Sequence, residues 1–241
     1  MAKIFKVGGS VRDKIMGLDS KDIDFTFVLD DEIDTSVEAG FESMTQYLEE
    51  NGYTIFLSTP ECFTIRAKFP IGHAFDGMVA DFVLARKEVG YIEGTRRPKL
   101  ELGTLYDDLI RRDFTVNAIA EDIDGTLIDP FNGIDAIKNK ILSTPHSCQK
   151  SFDDDPLRIL RAIRFSITKG FEIPMDMSTI IFWYNYNEKM SVVSTERIRE
   201  ELYKCLKHDT LLTLNILAQY PTLRDYIFTK TKLWLKPTTE F

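Results

Sequence analysis

KVGGSVRDKIMGLDSKDIDFTFV, residues 6–28, is the stretch of this sequence that decides the fold. Its pattern predicts a strand over 4–7, a turn at 8–9, a short helix over 11–16 and a second strand over 22–28. Two adjacent glycines allow positive φ angles, so the backbone there can approach a ligand closely. Their N–H groups precede a helix, which is a position that favours phosphate.

Two carboxylates, Asp22 and Asp24, stand two residues apart in the second predicted strand. That spacing puts both on one face of a sheet, while Ile23 points the other way. Carboxylate oxygens suit Mg²⁺, which is usually held by one or two carboxylates plus substrate phosphates. Beside the Gly8-Gly9 turn, the pair gives the layout expected for nucleotidyl transfer. Each feature alone also has a plainer interpretation, as a surface turn or a charged strand face.

The composition is that of an ordinary globular protein of one or two domains, with 241 residues, 44% hydrophobic and 28% charged. No apolar run approaches the roughly 20 residues of a membrane span, and we expect no signal peptide because the N-terminus runs directly into a strand. The three cysteines are far apart and odd in number, which indicates reduced thiols in the cytoplasm. The net charge of −8 excludes general coating of nucleic acid, so any RNA contact must be a local basic patch.

The chain beyond the opening stretch first continues as a sheet with helices. Helical spacing predicts an amphipathic helix over 37–50. Further strands are predicted over 53–57, 63–67 and 78–85, and the last carries Asp81. That residue is a candidate third acid, or a polar residue on a half-exposed strand. The other expected elements are a polar, basic flexible loop over 87–105, a hairpin over 119–128 with an Asp-Gly turn, and a helix over 133–140.

From about residue 145 the strand signals stop and helices take over. Within FDDDPLRILRAIRF, residues 152–165, Asp155 should cap a helix whose first turn holds Pro156. Arg158, Arg161 and Arg164 recur every three residues, which makes a basic stripe that requires phosphates or acidic neighbours. Aromatic residues follow over 171–190 and are interpreted as core, and Ser194 is predicted to cap a later helix.

Five motifs in order resemble the class II tRNA nucleotidyltransferase (CCA-adding enzyme) and bacterial poly(A) polymerase family. They are the opening stretch with Arg12 and Asp13, RRDFTVNA at 111–118, DPFNGIDAIKNKIL at 129–142, DDDPLR at 153–158 and STERIREELYKCL at 194–206. The resemblance covers roughly residues 4–208. Its nucleotide-selecting motif begins here with Asp154, where glutamate is common in the family.

The resemblance implies an α+β fold. Residues 1–144 would be a polymerase-beta-like nucleotidyltransferase head, a small mixed sheet with helices, and residues 145–241 an all-helical neck with a short body. Family members that add CCA to tRNA usually continue well beyond this length, so we expect at most a truncated body and no tail domain.

The resemblance also implies a set of functional residues and a reaction. CTP or ATP would be joined to the 3′ end of tRNA or another RNA, with Mg²⁺ as cofactor and no membrane partner. The metal-binding and catalytic acids would be Asp22 and Asp24, with Asp81 as a third catalytic acid. The nucleotide-binding residues would be Gly8, Gly9, Arg12 and Arg112 at the triphosphate, Asp155 and Arg158 at the base, and Arg161 and Arg164 in support.

Two alternatives share most of these residues. A poly(A) polymerase would keep nearly all of them, although the G-R-x-F-type strand and basic C-terminal extension typical of such enzymes are not recognisable here. A non-catalytic RNA-binding relative is the other alternative, and the intact Asp22, Asp24 and Arg112 argue against it.

Overall fold

The computed structural model describes residues 2–20, 23–29, 36–91 and 98–230. The chain forms two compact units, Met1–Lys138 and Asn139–Phe241, whereas the boundary expected from the sequence follows residue 144. Across the described ranges, no helix has both the length and the apolar character needed to cross a membrane.

Strands dominate the first unit. In the described residues, seven of them form one sheet in the order β3-β4-β5-β2-β1-β8-β9, and β6 pairs with β7 separately. Strands β2 and β5 run parallel and the other pairs are antiparallel, so the predicted mixed sheet is confirmed. The strands are β1 Lys3–Val7, β2 Asp24–Val28, β3 Thr54–Thr59, β4 Thr64–Lys68, β5 Val79–Leu84, β6 Arg86–Tyr91, β7 Pro98–Leu102, β8 Ala120–Glu121 and β9 Leu127–Ile128.

Helix α2, Val37–Glu50, covers one face of the sheet as its spacing predicts. Ser36 caps it by accepting a hydrogen bond from the Ala39 N–H. Its apolar stripe, with Met44 and Leu48 fully buried, packs in one core with the sheet residues Phe27, Phe82 and Leu84. The other helices of this part are α1 Gly9–Ile15, α3 Leu105–Ile110 and α4 Gly133–Asn139.

Alternation along β2 gives the two faces of the sheet different roles. Phe25 and Phe27 lie in the α2 core. Asp24 and Thr26 lie on the opposite face, where the Thr26 hydroxyl donates to Asp108 of α3. The face opposite α2 is therefore the one that carries the predicted catalytic chemistry.

The flexible loop predicted over 87–105 is wrong for the described residues. Strands β6 and β7 form an antiparallel hairpin there, and α3 begins at Leu105 behind a Thr104 capping box. The hairpin was missed because its cross-strand pairs include a surface ion pair, Lys87 with Glu101, which makes the sequence resemble a polar linker. The basic residues Arg96 and Arg97 lie outside the described residues.

The second unit is helical in its described part, as predicted, so the α+β class with a helical C-terminal region is confirmed. Helices α6 and α9 pack against each other, and α10 is followed by the short α11 and a π-helical turn, Tyr226–Lys230. The helices are α5 Cys148–Asp154, α6 Leu157–Lys169, α7 Met175–Trp183, α8 Tyr186–Lys189, α9 Thr195–His208, α10 Thr210–Gln219 and α11 Pro221–Asp225.

The aromatic stretch before α9 divides between core and surface. Tyr184 and Tyr186 are buried, and each hydroxyl donates to a backbone carbonyl, of Phe152 and Ile181 respectively. The core interpretation is confirmed for these two tyrosines. It is wrong for Trp183, which is 78% exposed.

Candidate active site

The site is built around Asp24, the first residue of β2. In the sheet its direct neighbours are Val7 at the end of β1 and Asp81 on the parallel strand β5. Asp24 and Asp81 therefore lie side by side on the same face. Asp22, the other predicted metal ligand, lies outside the described residues.

Gly8 brings the backbone of the opening turn next to Asp24. It connects β1 to α1 with φ 74° and ψ −138°, a conformation that side-chain-bearing residues rarely adopt. A Cβ at this position would lie 2.9 Å from Arg112 Nη1 and 3.8 Å from Asp24 Oδ2. The turn predicted to bind phosphate, the acid predicted to bind metal and the arginine predicted to bind triphosphate thus lie next to one another. Gly9, the next residue, begins α1.

Arg112 is held in place by Asp108, a residue that the sequence analysis missed. Asp108 is fully buried, and one of its oxygens accepts from Arg112 Nε at 3.1 Å and Arg112 Nη2 at 2.7 Å. The same oxygen accepts from the Thr26 hydroxyl at 2.8 Å, and the other accepts from Arg111 at 2.5 Å. Because Nε and Nη2 are engaged with Asp108, Nη1 is the guanidinium nitrogen that faces Gly8.

Asp108 is ionised because its cationic partners outweigh its burial. Burial alone would raise the pKa of this carboxyl, but the charges of Arg112 and Arg111 and hydrogen bonds from Arg112 and Thr26 hold the pKa well below its usual range. The only hint in the sequence was an acid four residues before Arg112 on a short helix, which is the spacing of a side-chain pair.

Arg12 lies in a buried network that joins α1 to the 111–118 motif. Its Nε donates to Asp13, and its Nη1 donates to the Asn117 side-chain oxygen at 2.6 Å. Asn117 in turn donates to Asp113, which also accepts from the Phe114 N–H. Asp113 and Asn117 thus hold this loop in shape. Arg12 is 7% exposed and shares their framework.

The carboxylate of Asp81 is hydrogen-bonded to an arginine of the neighbouring strand β4. Arg66 donates from Nε and Nη2 to the two Asp81 oxygens, both at 2.7 Å. This fork-to-fork geometry is among the stronger kinds of charged hydrogen bond. The position of Asp81 next to Asp24 follows the predicted strand layout, while its partner Arg66 could not be read from the sequence.

The donor chemistry of the face suits a hard cation. Asp24 and Asp81 supply carboxylate oxygens, the ligand type that Mg²⁺ prefers, and a Mg²⁺ ion needs only one or two such groups when phosphates complete its shell. The described residues contain no group of three or more His, Cys, Asp or Glu side chains that could hold a metal by themselves. A metal here would therefore depend on Asp24, on Asp22 and on substrate oxygens.

In the second unit, Asp155 joins the start of α6 to α9. Helix α6 begins at Leu157 with Pro156 as the residue before it, one position later than predicted, but Asp155 Oδ1 still accepts from the Leu157 N–H at 3.1 Å and so caps the start of the helix. Asp155 Oδ2 accepts from Arg197 of α9 at 3.1 Å. Arg158, one turn along, donates to the Ser151 hydroxyl at 2.9 Å. The two residues predicted to select the base are thus held in place, Asp155 by Arg197 of α9 and Arg158 by Ser151 of α5.

The remaining arginines of the α6 stripe are half-buried. Arg164 donates from Nε to Glu201 of α9 at 2.5 Å, and Glu201 is 5% exposed. Arg164 therefore connects two helices of the second unit. Arg161 lies between Arg158 and Arg164 on the same stripe.

A mixed sheet with two neighbouring acids, a glycine turn and a buttressed arginine is the arrangement expected of a nucleotidyltransferase head. The sequence profile described as the poly A polymerase head domain matches residues 4–143. The chain belongs to this family.

Two bacterial proteins are similar in sequence to most of this chain. A multifunctional CCA protein of Pseudoalteromonas atlantica is 32% identical over 214 residues, which are 86% of this chain and 46% of the relative. A CCA-adding enzyme of Bacillus pumilus is 34% identical over 203 residues, 83% of this chain and 45% of the relative. The chain therefore spans slightly less than half the length of these relatives.

Solved structures share the fold over nearly the whole chain. A CCA-adding enzyme with CTP is 26% identical with a TM-score of 0.70, over 92% of this chain and 47% of that one. A tRNA nucleotidyltransferase with a primer tRNA and an incoming ATP analogue is 29% identical with a TM-score of 0.70, over 95% and 60%. A Thermotoga maritima CCA-adding enzyme with tRNA is 26% identical with a TM-score of 0.70, over 98% and 50%.

Proposed function

We propose that this chain is a template-independent nucleotidyltransferase that adds C, A or both from CTP and ATP to the 3′ end of tRNA and releases pyrophosphate. The observation that carries the proposal is the convergence of Gly8, Asp24 and Arg112 on one face of the sheet. The membership of the family and the similarity to CCA-adding enzymes support the choice of substrate. Three free cysteines among the described residues agree with a cytoplasmic setting.

In the proposed reaction the RNA 3′-hydroxyl attacks the α-phosphate of the nucleotide, and pyrophosphate leaves. Arg112 binds triphosphate oxygens through Nη1, because Asp108 already engages its other two nitrogens. Gly8 and Gly9 let the phosphates approach the backbone without a side chain in the way. Arg12 supports the same turn, since its Nη2 lies 3.5 Å from where a Gly9 Cβ would be.

Asp22 and Asp24 would hold Mg²⁺ in this enzyme. When bound, the metal supplies Lewis-acid stabilisation of the attacking and leaving oxygens. Asp81 joins these acids as a third carboxylate only when Arg66 moves away, because Arg66 engages both of its oxygens.

Base choice is assigned to the second unit. An Asp155 oxygen accepts from the amino group that cytosine and adenine share, and Arg158 donates to ring or carbonyl acceptors. Arg161 and Arg164 support this helix face. We assign catalysis to a head over 1–144 and this selection to a helical neck and short body over 145–241.

One assay separates the proposed function from its alternatives. The protein is incubated with tRNA transcripts ending before CCA or after CC, and with an unrelated RNA, supplying each labelled nucleotide alone and together. Short C or A additions confined to the tRNA transcripts are expected. Long A runs on any RNA would identify a poly(A) polymerase instead.

The control variant is Asp24→Ala, which should lose at least about 100-fold in rate while remaining folded, by analogy with the loss of other groups that stabilise transition-state charge. RNA binding without incorporation by the unmodified protein would identify a non-catalytic relative.

A further inference from the structure

A groove of about 530 Å³ lies in the first unit, on the sheet face opposite Asp24. Its floor crosses three strands. Lys6 of β1 is in register with Phe25 of β2 on one side and with Glu121 of β8 on the other. Residues directly opposite each other in antiparallel strands share a face, so these three side chains stand in a row. Because Phe25 alternates with Asp24, this row is separate from the candidate active site.

One wall of the groove is aromatic. Phe69 lies 4.7 Å from His73, 5.2 Å from Phe75 and 5.1 Å from Tyr53, measured between ring centroids. Phe69 is buried, while Tyr53, His73 and Phe75 are half-exposed along the groove. Half-exposed aromatic rings in a groove are a stacking surface for a flat ligand.

On the opposite side of the floor lies a carboxylate oxygen that accepts no hydrogen bond from the described residues. Glu121 is 8% exposed, and its Oε2 is a buried oxygen without a hydrogen-bond partner among the described residues. Lys14 pairs with the other oxygen, Oε1, and Lys6 Nζ is 3.9 Å from Oε2, beyond hydrogen-bond distance. A buried acceptor of this kind is costly, so a bound N–H donor would be favourable.

We propose that this groove binds a single unpaired nucleobase that carries an exocyclic amino group, adenine or cytosine. The base stacks on the wall formed by Tyr53, His73 and Phe75, and its amino group donates to Glu121 Oε2 once the Glu121 side chain rotates to turn this buried oxygen toward the groove. A carboxylate accepting from an exocyclic amino group is an established mode of base recognition. Lys6 and Lys14 already balance the Glu121 charge, which favours a neutral donor over a further cation.

The charge at the rim argues against an anionic ligand held by its phosphates. The groove is lined by three carboxylates, Glu121, Asp122 and Asp124, and by two lysines, Lys3 and Lys6, of which Lys6 lies next to Glu121. The carboxylates therefore outnumber the cations that could hold a phosphate. Recognition therefore rests on the base itself. A free nucleoside or nucleotide and a single-stranded RNA can both present such a base, and a comparison of adenosine with a tri-adenylate separates these two sources.

The test is a residue-resolved NMR titration of the full chain with adenosine and, in parallel, with purine riboside, which has the same rings but no amino group. Adenosine is expected to shift the amide signals of His73, Phe75 and Gly125 with a saturable curve, and purine riboside should bind about tenfold more weakly, the loss expected for an unpaired buried acceptor. Signals of Ser151 and Arg158 report separately on the proposed base site of the second unit.

A matched pair of variants tests the stacking wall. Phe75→Ala should weaken adenosine binding about tenfold, while Phe56→Ala, which removes a 59% exposed phenylalanine outside the groove, should leave binding unchanged. A tri-adenylate that binds tighter than adenosine identifies RNA as the source, and equal or weaker binding identifies a free nucleoside or nucleotide. Unshifted groove signals at millimolar adenosine, or equal binding of purine riboside, would overturn the proposal. Melting of each variant verifies folding.

Discussion

The orientation of the Arg112 side chain depends on Asp108. Asp108 is buried, negatively charged and bonded to Thr26, two residues after Asp24 on the same strand face. One carboxylate thereby connects the acid-bearing strand to Arg112, the arginine that we propose binds triphosphate. It acts through Arg112 and is a positioning residue.

We expect Asp108→Asn to raise the KM for CTP and ATP by about 10- to 100-fold, because loss of a charged hydrogen-bond partner costs about 1.5–3 kcal/mol and frees Arg112 to move. Steady-state kinetics of nucleotide addition measures this. Asp107→Asn is the matched control, since that neighbour only caps α3 through Thr104. Equal KM values for the two variants would contradict the positioning role.

The same carboxylate should steepen acid denaturation. The pKa of Asp108 is lowered in the folded protein, so its contribution to stability is fully present above the pKa of the unfolded chain, about 3.9, and is lost as the pH falls further toward the folded-state pKa. Urea midpoints between pH 5 and pH 2 should therefore fall more steeply for the wild type than for Asp108→Asn. Parallel curves would show that other carboxylates govern acid unfolding.

Gly8 offers a third prediction at the residue scale, with Gly17 as its control. Both have positive φ, 74° and 70°, but a Cβ on Gly17 meets nothing within 4 Å while one on Gly8 meets Arg112 Nη1 at 2.9 Å. Alanine at either site should destabilise the protein by roughly 1–3 kcal/mol, the cost of a residue held in a sparsely populated backbone region, with the larger loss at Gly8, where ψ is −138° and the Cβ also meets Arg112. Only Gly8→Ala should also reduce nucleotide addition at saturating RNA. A similar activity loss in Gly17→Ala would assign the effect to backbone strain alone.

At the scale of elements, the sequence predicted the helices and strands whose apolar residues recur at a regular local spacing. The spacing of Val37, Phe41, Met44 and Leu48 predicted α2, because a helix buries one stripe of its own sequence. Pairings between elements were not predictable in this way. Arg66 with Asp81 and Arg164 with Glu201 join residues on different elements, and only the folded chain brings them together. The β6-β7 hairpin was missed for a related reason, since the exposed Lys87–Glu101 ion pair across it hides the strand alternation.

The Arg164–Glu201 pair should stabilise the packing of α6 on α9. Arg164→Ala leaves a nearly buried carboxylate without its closest cation, and we expect it to cost about 3–5 kcal/mol of unfolding free energy. Arg164→Met combined with Glu201→Leu should recover most of that loss, because an apolar pair removes the buried charge as well. Denaturant unfolding of the two variants measures this. A double variant as unstable as Arg164→Ala would show that the helix contact needs the ion pair itself.

At the scale of the whole molecule, the candidate chemistry and the candidate base choice belong to different compact units. Asp24, Asp108 and Arg112 are in the unit ending at Lys138, and Asp155 and Arg158 are in the unit that follows. The motifs of both units were recognisable in the sequence because each is short and local. What the sequence could not supply were the partners that fix them, Asp108 for Arg112 and Arg197 for Asp155.

This division predicts that base choice can be changed without loss of the chemical step. In Asp155→Ala the acceptor for the shared amino group is gone, so discrimination of CTP and ATP against UTP should fall by roughly 1–3 kcal/mol, or about 5- to 150-fold. Arg158→Ala should alter the ratio between nucleotides while incorporation continues. Single-turnover incorporation of all four nucleotides by wild type and both variants measures these ratios.

Asp155 also caps α6, so Asp155→Ala should lower stability by about 1 kcal/mol, and its melting must be followed beside its kinetics. Arg197→Ala is the matched variant. It removes the cation from Asp155 Oδ2 while leaving the capping oxygen Oδ1 in place, so it should loosen base choice with little effect on the cap. Unchanged nucleotide ratios in folded, active Asp155→Ala and Arg158→Ala proteins would locate base choice elsewhere in the chain. Altered ratios with intact turnover would assign selection to the start of α6.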